Sequence, residues 1–368
     1  MSFFKKIFGS KRPVATTSIE EFWNWFSSHA AEFRNIVKNQ EGLDENFLER
    51  LMPRLQSVNP TFYSLTGMLD DDTAELVVTS DGVVKLFVFV EEFIQSAPII
   101  KGWKFTALKP PTNLKSFSLE SNGYSFSSSN IHFYYHKEDT YPDEIDISLT
   151  YESYTEENKD LVVQGCLLFI ENSIGEMNMA TKIDAVTVVP KIAEGEEPIP
   201  IDKLEEFLTW REKELVEKYE GAYLSSDTDT YALMEAEGPN GLPVIAVINQ
   251  DMLEWDAKAS HPWIMVVEIA YDGKGRNGMP DKKTNVLMNR FEDELTAQLP
   301  HSGGHLYLGR ETFDSKREIY FACKEFRIVS KAAAQTIAQY QQRLEVTYDI
   351  YKDRYWRSLD QYRKSRTI

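Results

Sequence analysis

Cysteine is nearly absent from this chain of 368 residues, which contains only Cys166 and Cys323. Both lie inside apolar runs, so they are predicted to be buried thiols rather than part of a disulfide framework. Free thiols are typical of a reducing compartment, and the sequence therefore predicts a cytoplasmic protein. The six histidines are not accompanied by the further histidine or cysteine ligands that a zinc site needs, so no metal site is expected.

Long apolar runs and an excess of basic residues are also missing. No stretch approaches the ~20 apolar residues of a membrane-spanning helix. The N-terminal sequence MSFFKKIFGSKR lacks the apolar core and the cleavage site of a signal peptide. Lys and Arg number 40 against 58 Asp and Glu, which gives a net charge of −18. A chain this acidic argues against nucleic acid as a partner.

The two ends of the chain are basic although the whole is acidic. Residues 1–12 carry four basic and no acidic side chains, and residues 352–368 carry six basic and two acidic ones. Once the +4 of each end is subtracted from −18, the body has a net charge of −26. Because opposite charges attract, we expect the basic ends to contact this body or another anion. The aromatic and basic start of the chain forms either a disordered arm or a peripheral contact with an anionic membrane surface.

Motifs of catalysis are lacking as well. No P-loop, nucleophile elbow or set of kinase motifs is present. Residues 273–278 spell G-x-G-x-x-G, but residues 279–281 separate the last glycine from the next predicted helix. A dinucleotide site needs that glycine where the helix begins. We therefore expect a flexible loop here and no cofactor. The lack of catalytic motifs favours a protein that is not an enzyme without deciding the question.

Apolar periodicity predicts an α+β chain of two α/β-sandwich-like modules. Residues 1–16 are the basic arm, and residues 17–190 are expected to form an N-terminal α+β domain. Residues 191–224, acidic and bounded by prolines at the start, are predicted to be a linker and a connecting helix. Residues 225–368 form the C-terminal domain. From Trp263 onward its predicted order is β-α-β-β-α-β, that of a ferredoxin-like module, preceded by an extra hairpin.

Two local predictions concern the N-terminal domain. The dipeptide Asp81-Gly82 favours a hairpin turn, so residues 83–90 are predicted to be a strand. Residues 108–130 are rich in Pro, Ser, Thr and Asn and are predicted to be a loop.

The alternating stretch 303–326 predicts a β-hairpin. If its turn is centred on the Phe-Asp pair, Leu308 lies opposite Ile319 and Arg310 lies opposite Arg317. Both arginines then continue the face that covers a core. Because two like charges directly across a ladder are unfavourable, we expect an acidic side chain beside them.

The arginine pair allows two interpretations. In the structural one, a carboxylate from a neighbouring helix or loop accepts hydrogen bonds from both guanidiniums and fixes the end of the hairpin. In the functional one, Arg310, Arg317 and Thr312 form a shallow anion site with Lys316 at its rim. Separately, Trp255 lies in the polar sequence Glu-Trp-Asp and is predicted to be an exposed aromatic anchor for a partner.

Two sets of motifs are similar to those of known bacterial sequences. In the C-terminal part, about 225–360, they are Asn240-Gly241-Leu242-Pro243, Asn277-Gly278-Met279-Pro280, Leu308-Gly309-Arg310-Glu311-Thr312, Lys316-Arg317-Glu318 and Tyr348–Trp356. This part resembles the bacterial domain-of-unknown-function family six-nine-five. In the N-terminal part they are Phe22-Trp23-Asn24-Trp25-Phe26, Ser80-Asp81-Gly82, Ala97-Pro98, Gly102-Trp103 and Gly175-Glu176. This part resembles a segment that often precedes such domains.

The resemblance implies an α+β, bacterial, cytoplasmic protein and carries no known reaction. Relatives of this kind sometimes carry a domain like the type-B regulator of ribonuclease E, which acts by binding a nuclease. Together with the acidic body, this leads us to expect a non-enzymatic binding or regulatory protein that engages a basic protein partner, such as a nuclease or a toxin. The alternative is an enzyme or sensor that binds a small anionic ligand near Arg310 and Arg317.

Overall fold

A computed structural model of the chain describes residues 17–113, 117–192, 196–222 and 230–363. The predicted basic arm and parts of the predicted linker lie outside these residues, so the predicted division at 191–224 stays a prediction. The described part is mixed α+β, as the sequence predicts. The chain divides into two compact units, Met1–Ser118 with Leu167–Ala180, and Leu119–Cys166 with Thr181–Ile368.

The first unit is a three-stranded sheet with helices. Its elements are α1 (Ile19–Asn39), α2 (Glu49–Val58), β1 (Tyr63–Met68), β2 (Ala74–Thr79), α3 (Phe87–Gln95), β3 (Trp103–Ala107), the end of α4 (Lys159–Ile174) and most of α5 (Glu176–Lys182). A π-helical turn, Leu43–Leu48, precedes α2. The strand order is β1-β2-β3, with β1 antiparallel and β3 parallel to β2.

Helix α1 begins at a capping box and buries an aromatic face. The backbone N–H of Glu21 donates to Ser18 Oγ at 3.1 Å, and the N–H of Ser18 donates to the Glu21 carboxylate at 2.7 Å. Phe22, Phe26 and Phe33 on one side of the helix are fully buried. This packing is what the apolar periodicity of the segment predicts.

The predicted strand at residues 83–90 is wrong. Residues 84–86 form a 3₁₀ turn and α3 follows directly, so the apolar run is helical. Both edges of β2 are already occupied by β1 and β3. A parallel β2–β3 pair needs a crossover, and α3 provides it. The run is apolar at both helical and strand spacing, which is why its period did not decide between them.

The second unit contains a four-stranded sheet and a six-stranded sheet, called here the smaller and the larger sheet. The smaller one has the order β8-β7-β6-β9 and is formed by β6 (Ile131–His136), β7 (Asp146–Tyr151), β8 (Ala185–Val189) and β9 (Ile199–Pro200), followed by α6 (Leu204–Lys218). A separate hairpin joins β4 (Ser118–Ser121) to β5 (Tyr124–Ser127) through Asn122 and Gly123, both with positive φ. Residues 108–130 are therefore not loop throughout, because this Asn-Gly turn pairs two short strands.

The larger sheet has six strands in the order β10-β11-β13-β14-β12-β15, and all neighbours are antiparallel. Its elements are β10 (Tyr231–Glu237), β11 (Pro243–Asn249), α7 (Gln250–Leu253), β12 (Trp263–Ala270), α8 (Lys282–Gln298), β13 (His305–Phe313), β14 (Lys316–Cys323), α9 (Arg327–Tyr340) and β15 (Glu345–Lys352). Helix α8 lies on one face of the sheet, where Glu292 contacts Arg310 and Arg317. A C-terminal 3₁₀ segment, Arg357–Tyr362, packs on the other face in a core with Leu306, Leu308 and Tyr320.

The predicted register of the β13–β14 hairpin is wrong, because the turn is centred one residue later in the chain than expected. The turn residues are Asp314 and Ser315, both with positive φ, so Arg310 pairs with Ile319. A bulge at Leu308 and Gly309 then shifts the ladder further along. The physical reason is the two-residue turn with positive φ at both positions, which matches the twist of a hairpin better than the turn we expected.

Two predictions about chain composition can be compared with the described residues. Cys166 and Cys323 are buried free thiols, as expected. None of the described helices is both long enough and apolar enough to cross a membrane.

Candidate functional site

The arginine pair of the hairpin binds a carboxylate from α8. Arg310 Nη1 donates to both oxygens of Glu292 at 3.0 Å, and Arg317 Nη1 lies 3.5 Å from Glu292 Oε2. The Tyr307 hydroxyl also donates to Glu292. The acidic side chain that the sequence predicted beside the arginines is therefore Glu292, although Thr312 rather than Arg310 lies opposite Arg317.

The donors of Arg317 are committed to neighbouring side chains. Nε donates to Thr312 Oγ1 at 3.2 Å, Nη1 to Asn289 Oδ1 at 2.7 Å, and Nη2 to Asn285 Oδ1 at 2.7 Å. Burial lowers the pKa of this guanidinium, and the nearby charge of Arg310 adds to that effect. The group stays cationic because an arginine keeps its proton in proteins.

The other predicted site residues are placed apart from this cluster or at its edge. Lys316 donates to Glu318 at 2.5 Å and to Glu268 at 3.3 Å, and its Nζ lies over the Phe313 ring. Trp255 is partly buried, with its ring centroid 6.3 Å from that of Trp356.

Trp210 on α6 is the more exposed tryptophan, at 56% of its surface.

Three loops meet at the turn of the β13–β14 hairpin. Asn240, in the β10–β11 turn, donates through Nδ2 to Asp314 Oδ2 at 3.0 Å. The backbone N–H of Ser315 donates to the carbonyl of Gly278, in the loop before α8, at 2.9 Å. The Tyr271 hydroxyl donates to the same carbonyl at 2.9 Å. The motifs Asn240–Pro243 and Asn277–Pro280 therefore meet at the turn that joins Leu308–Thr312 to Lys316–Glu318.

An open cavity of about 680 Å³ lies beside this point and is the candidate site. Its walls come from β10, β11, the turn between them, the β13–β14 hairpin and the C-terminal 3₁₀ segment. The titratable side chains among the described lining residues are Glu237, Glu311, Asp314, Glu318 and Tyr362. These described lining residues include no Lys, Arg or His, so the cavity presents one sign of charge.

A row of carboxylates crosses the sheet at the base of this cavity. Glu311 on β13 pairs with Glu318 on β14, which in turn pairs with Glu268 on β12. Like charges directly across a ladder repel each other. Lys316 relieves the second pair by binding both of its carboxylates. Burial raises the pKa of Glu311, the facing charge of Glu318 raises it further, and the Tyr362 hydroxyl opposes the change.

Two tyrosines connect the first carboxylate pair. The Tyr362 hydroxyl donates to Glu311 Oε2 at 2.8 Å, and the Tyr320 hydroxyl donates to Glu318 Oε2 at 2.6 Å. The two hydroxyl oxygens are themselves 3.2 Å apart. Burial raises the pKa of both phenols, and the neighbouring carboxylates raise it further, so both stay protonated at neutral pH.

Sequence reasoning did not identify these four residues as a site. The usable signal was the spacing of Glu311 and Glu318, which lie at equal distances from the Asp314-Ser315 turn. The incorrect register hid this relation. Tyr362 could not be placed at all, because it reaches the cavity only through the packing of the C-terminal segment on the sheet.

The C-terminal basic segment contacts acidic residues of the smaller sheet, as the charge distribution predicted. Asp184, which directly precedes β8, lies 2.9 Å from Arg354 Nε and 2.9 Å from Lys352 Nζ. Arg357 lies 2.6 Å from Glu144. Burial and the charge of Arg354 lower the pKa of Lys352 to about 8. The two pairs with Asp184 are buried, whereas Arg357 is half exposed, and together they hold the segment that ends in Tyr362.

Comparison with known proteins supports the resemblance of the C-terminal part. Residues 238–362 match the model of DUF695, a family of unknown function. Glu311, Glu318, Tyr320 and Tyr362 all lie within the matched residues. No curated protein and no solved structure matches the chain.

Proposed function

We propose that this protein is a non-enzymatic binding protein that engages a basic protein partner through the acidic cavity. The observation that carries the proposal is the lining of the cavity, which has four carboxylates and no cation among its described residues. A cationic group that enters it gains Coulomb energy, and this energy is larger in a partly buried site than in bulk water.

The walls of the cavity suit the stem of a long basic side chain. Leu242, Val244, Ala246 and Phe313 supply apolar surface around the carboxylates. Lysine and arginine carry three or four methylene groups behind the charge and bury them against such surface. The volume lies within the range of ~300–1,000 Å³ that is usual for binding pockets.

The overall charge favours the same class of partner. A net charge of −18 attracts a basic protein at a distance and raises the association rate, most strongly at low salt. A nuclease or a toxin with a basic active-site face is a partner of this kind.

We also infer that the larger sheet is a ferredoxin-like module with an extra hairpin. The support is the order β15-β12-β14-β13 within it, with α8 and α9 as the connections that skip a strand. Strands β10 and β11 then extend the sheet beyond β13, and the cavity lies on this extension.

The alternative is an enzyme or sensor that binds a small anion near Arg310 and Arg317. The observation in its favour is the 30% exposure of the Arg310 side chain. An anion there would compete with Glu292, which already receives hydrogen bonds from Arg310 and Tyr307. Thr312 and Lys316, also expected at this site, are held by Arg317 and by Glu318.

The test is calorimetric titration of the full chain with a hexa-arginine peptide and, separately, with inorganic phosphate. The proposal predicts that the peptide binds and that higher salt weakens it. The double variant Glu311→Gln/Glu318→Gln should lose about tenfold or more in affinity. Glu205→Gln/Glu345→Gln removes the same charge from exposed positions outside the cavity and should lose much less. A third variant, Trp255→Ala, reports whether this ring contributes.

Equal losses in the two double variants would mean that the peptide follows overall charge, and the cavity would then not be the site. Phosphate binding without peptide binding would favour the anion alternative.

A further inference from the structure

The hydrogen bonds at the base of the cavity require one more proton than the two tyrosines supply. Glu311, Tyr362, Tyr320 and Glu318 form a chain of three oxygen–oxygen contacts of 2.8, 3.2 and 2.6 Å. Each contact needs one hydrogen atom to be attractive. The two phenols provide two, and an ionised carboxylate provides none. A carboxyl group that keeps its proton at one end of this series of contacts supplies the third hydrogen.

Of the two ends, Glu311 is the one whose surroundings favour the protonated form. Glu318 forms an ion pair with Lys316, whose Nζ lies 2.5 Å from Glu318 Oε1. Among the described residues no cation forms an ion pair with Glu311, although the charge of Lys316 opposes the rise of its pKa. When Glu311 is ionised, the Tyr362 hydroxyl donates to it. With a proton on Glu311 this hydrogen bond reverses: Glu311 donates to Tyr362, Tyr362 to Tyr320, and Tyr320 to Glu318. All three contacts are then satisfied, and the cross-strand repulsion between the two glutamates is removed.

The groups that face Glu311 come from each neighbouring element. Glu318, Lys316 and Tyr320 lie on β14, Tyr362 lies on the 3₁₀ segment, and Asp314 lies in the turn. Glu237, at the end of β10, lines the same cavity, and Glu268 on β12 shares Lys316 with Glu318. Apart from Lys316, these charged groups are acidic. Burial and the charge of Glu318 raise the pKa of Glu311, which is the direction that a retained proton requires.

We propose that the cavity exchanges a proton for a cation: an ammonium or guanidinium group binds at Glu311, and the carboxyl proton leaves to water. The inference rests on the function proposed above and specifies its ligand as a nitrogen cation with N–H donors. In the exchange the O–H bond of Glu311 breaks, the proton passes to water, and an N–H of the ligand donates to the carboxylate. Among the described residues no side chain donates to Glu311 Oε1, so an acceptor is available.

The exchange makes binding dependent on pH. Below the raised pKa of Glu311 the ligand must displace a bound proton, so the affinity falls by up to about tenfold for each pH unit. Above that pKa the site is already ionised, and the affinity no longer changes with pH.

The first experiment measures the proton directly. The hexa-arginine peptide is titrated into the full chain at one pH in two buffers of different ionisation enthalpy, at several pH values. Wild-type protein should release up to one proton per bound peptide, with the fraction decreasing as pH rises. Infrared difference spectra of wild type against Glu311→Gln should show a carboxylic-acid C=O band that the peptide removes.

The second experiment removes the contact between the Tyr320 and Tyr362 hydroxyl groups. Tyr320→Phe leaves Tyr362 to donate to Glu311 and eliminates the contact that needed the third hydrogen. Proton release should fall, and affinity at acidic pH should rise relative to wild type. Tyr351→Phe is the matched control, because the Tyr351 hydroxyl donates to Ser358 and takes no part in the contacts between Glu311 and Glu318. This variant should release protons as wild type does.

The outcomes separate the two proposals. Peptide binding at the cavity without proton release, or without an acid band, would overturn the exchange and leave the proposed function standing. Absence of peptide binding would overturn both. Unchanged proton release in Tyr320→Phe would mean that the proton comes from a group other than Glu311, Tyr362, Tyr320 and Glu318, and would also refute the exchange.

Discussion

Replacement of Arg317 by methionine is expected to destabilise the protein strongly. The guanidinium is 3% exposed and donates to Thr312, Asn289 and Asn285, with Glu292 at 3.5 Å. Methionine fills much of the volume but supplies no donor, so three acceptors lose a partner in a buried site. Each buried group left unsatisfied costs ~1–3 kcal/mol, and breaking a buried ion pair costs ~3–5 kcal/mol in all. We expect a loss of about 3–5 kcal/mol.

Arg310→Met provides the internal comparison. Its side chain is 30% exposed, so water replaces part of what is lost and the cost should be nearer ~1 kcal/mol. Glu292 also keeps the Tyr307 hydroxyl and the nearby Arg317 in this variant.

Urea-induced unfolding at neutral pH, with and without phosphate, is the measurement. A loss below about 1 kcal/mol in Arg317→Met would refute the structural assignment. Stabilisation of wild type by phosphate that Arg310→Met abolishes would instead support an anion site.

Three further predictions concern other parts of the second unit. Asp184→Asn leaves Lys352 and Arg354 without their common carboxylate and should cost ~3–5 kcal/mol in urea unfolding. Because the folded pKa of Lys352 is lowered to about 8 from 10.5, wild-type stability should rise with pH between these values, and in the variant the rise should begin at lower pH. Glu311→Gln should have a higher melting temperature than wild type at neutral pH and the same melting temperature in acid. The reason is that the pKa of Glu311 is raised in the folded state, so the stability of wild type falls as the pH rises through that pKa. A lower melting temperature of the variant at neutral pH would refute the prediction. Gly309→Ala should cost ~2 kcal/mol or more, since φ is +137° and the new Cβ would lie 2.2 Å from the Val247 carbonyl, and unchanged stability would show that the bulge is not required.

Much of the second unit could be predicted because its elements have clear local signals. The order of strands and helices from Trp263 onward follows from apolar period and turn residues, and it agrees with the described elements. The carboxylate beside Arg310 and Arg317 could be predicted from charge alone, because two guanidiniums on the same face of a hairpin need an acceptor. The contact between the basic C-terminal segment and acidic residues followed from the same reasoning.

The cavity could not be predicted because it depends on sheet order and on one bulge. Its walls come from β10, β11, the hairpin and the C-terminal segment, which are separated in sequence and meet only in the folded sheet. The bulge leaves no strong mark in a sequence, and Gly309 is its only local indication. In the first unit, α3 was mistaken for a strand because its apolar run fits both the helical and the strand period. Whether such a run forms a strand then depends on whether a sheet edge is available for it to pair with.

The bulge at Leu308 and Gly309 determines how charge is divided between the two faces of the hairpin. Side chains alternate along a strand, so without the extra residue Arg310 would share a face with Leu308, on the cavity side. Glu311 would then point towards α8, where it would meet Glu292. With the bulge, both arginines reach the Glu292 carboxylate, while Glu311 joins Glu318 under the cavity, where Lys316 binds Glu318. One inserted residue therefore gives a cluster of matched charges on one face of the hairpin and an acidic cavity with unmatched charge on the other.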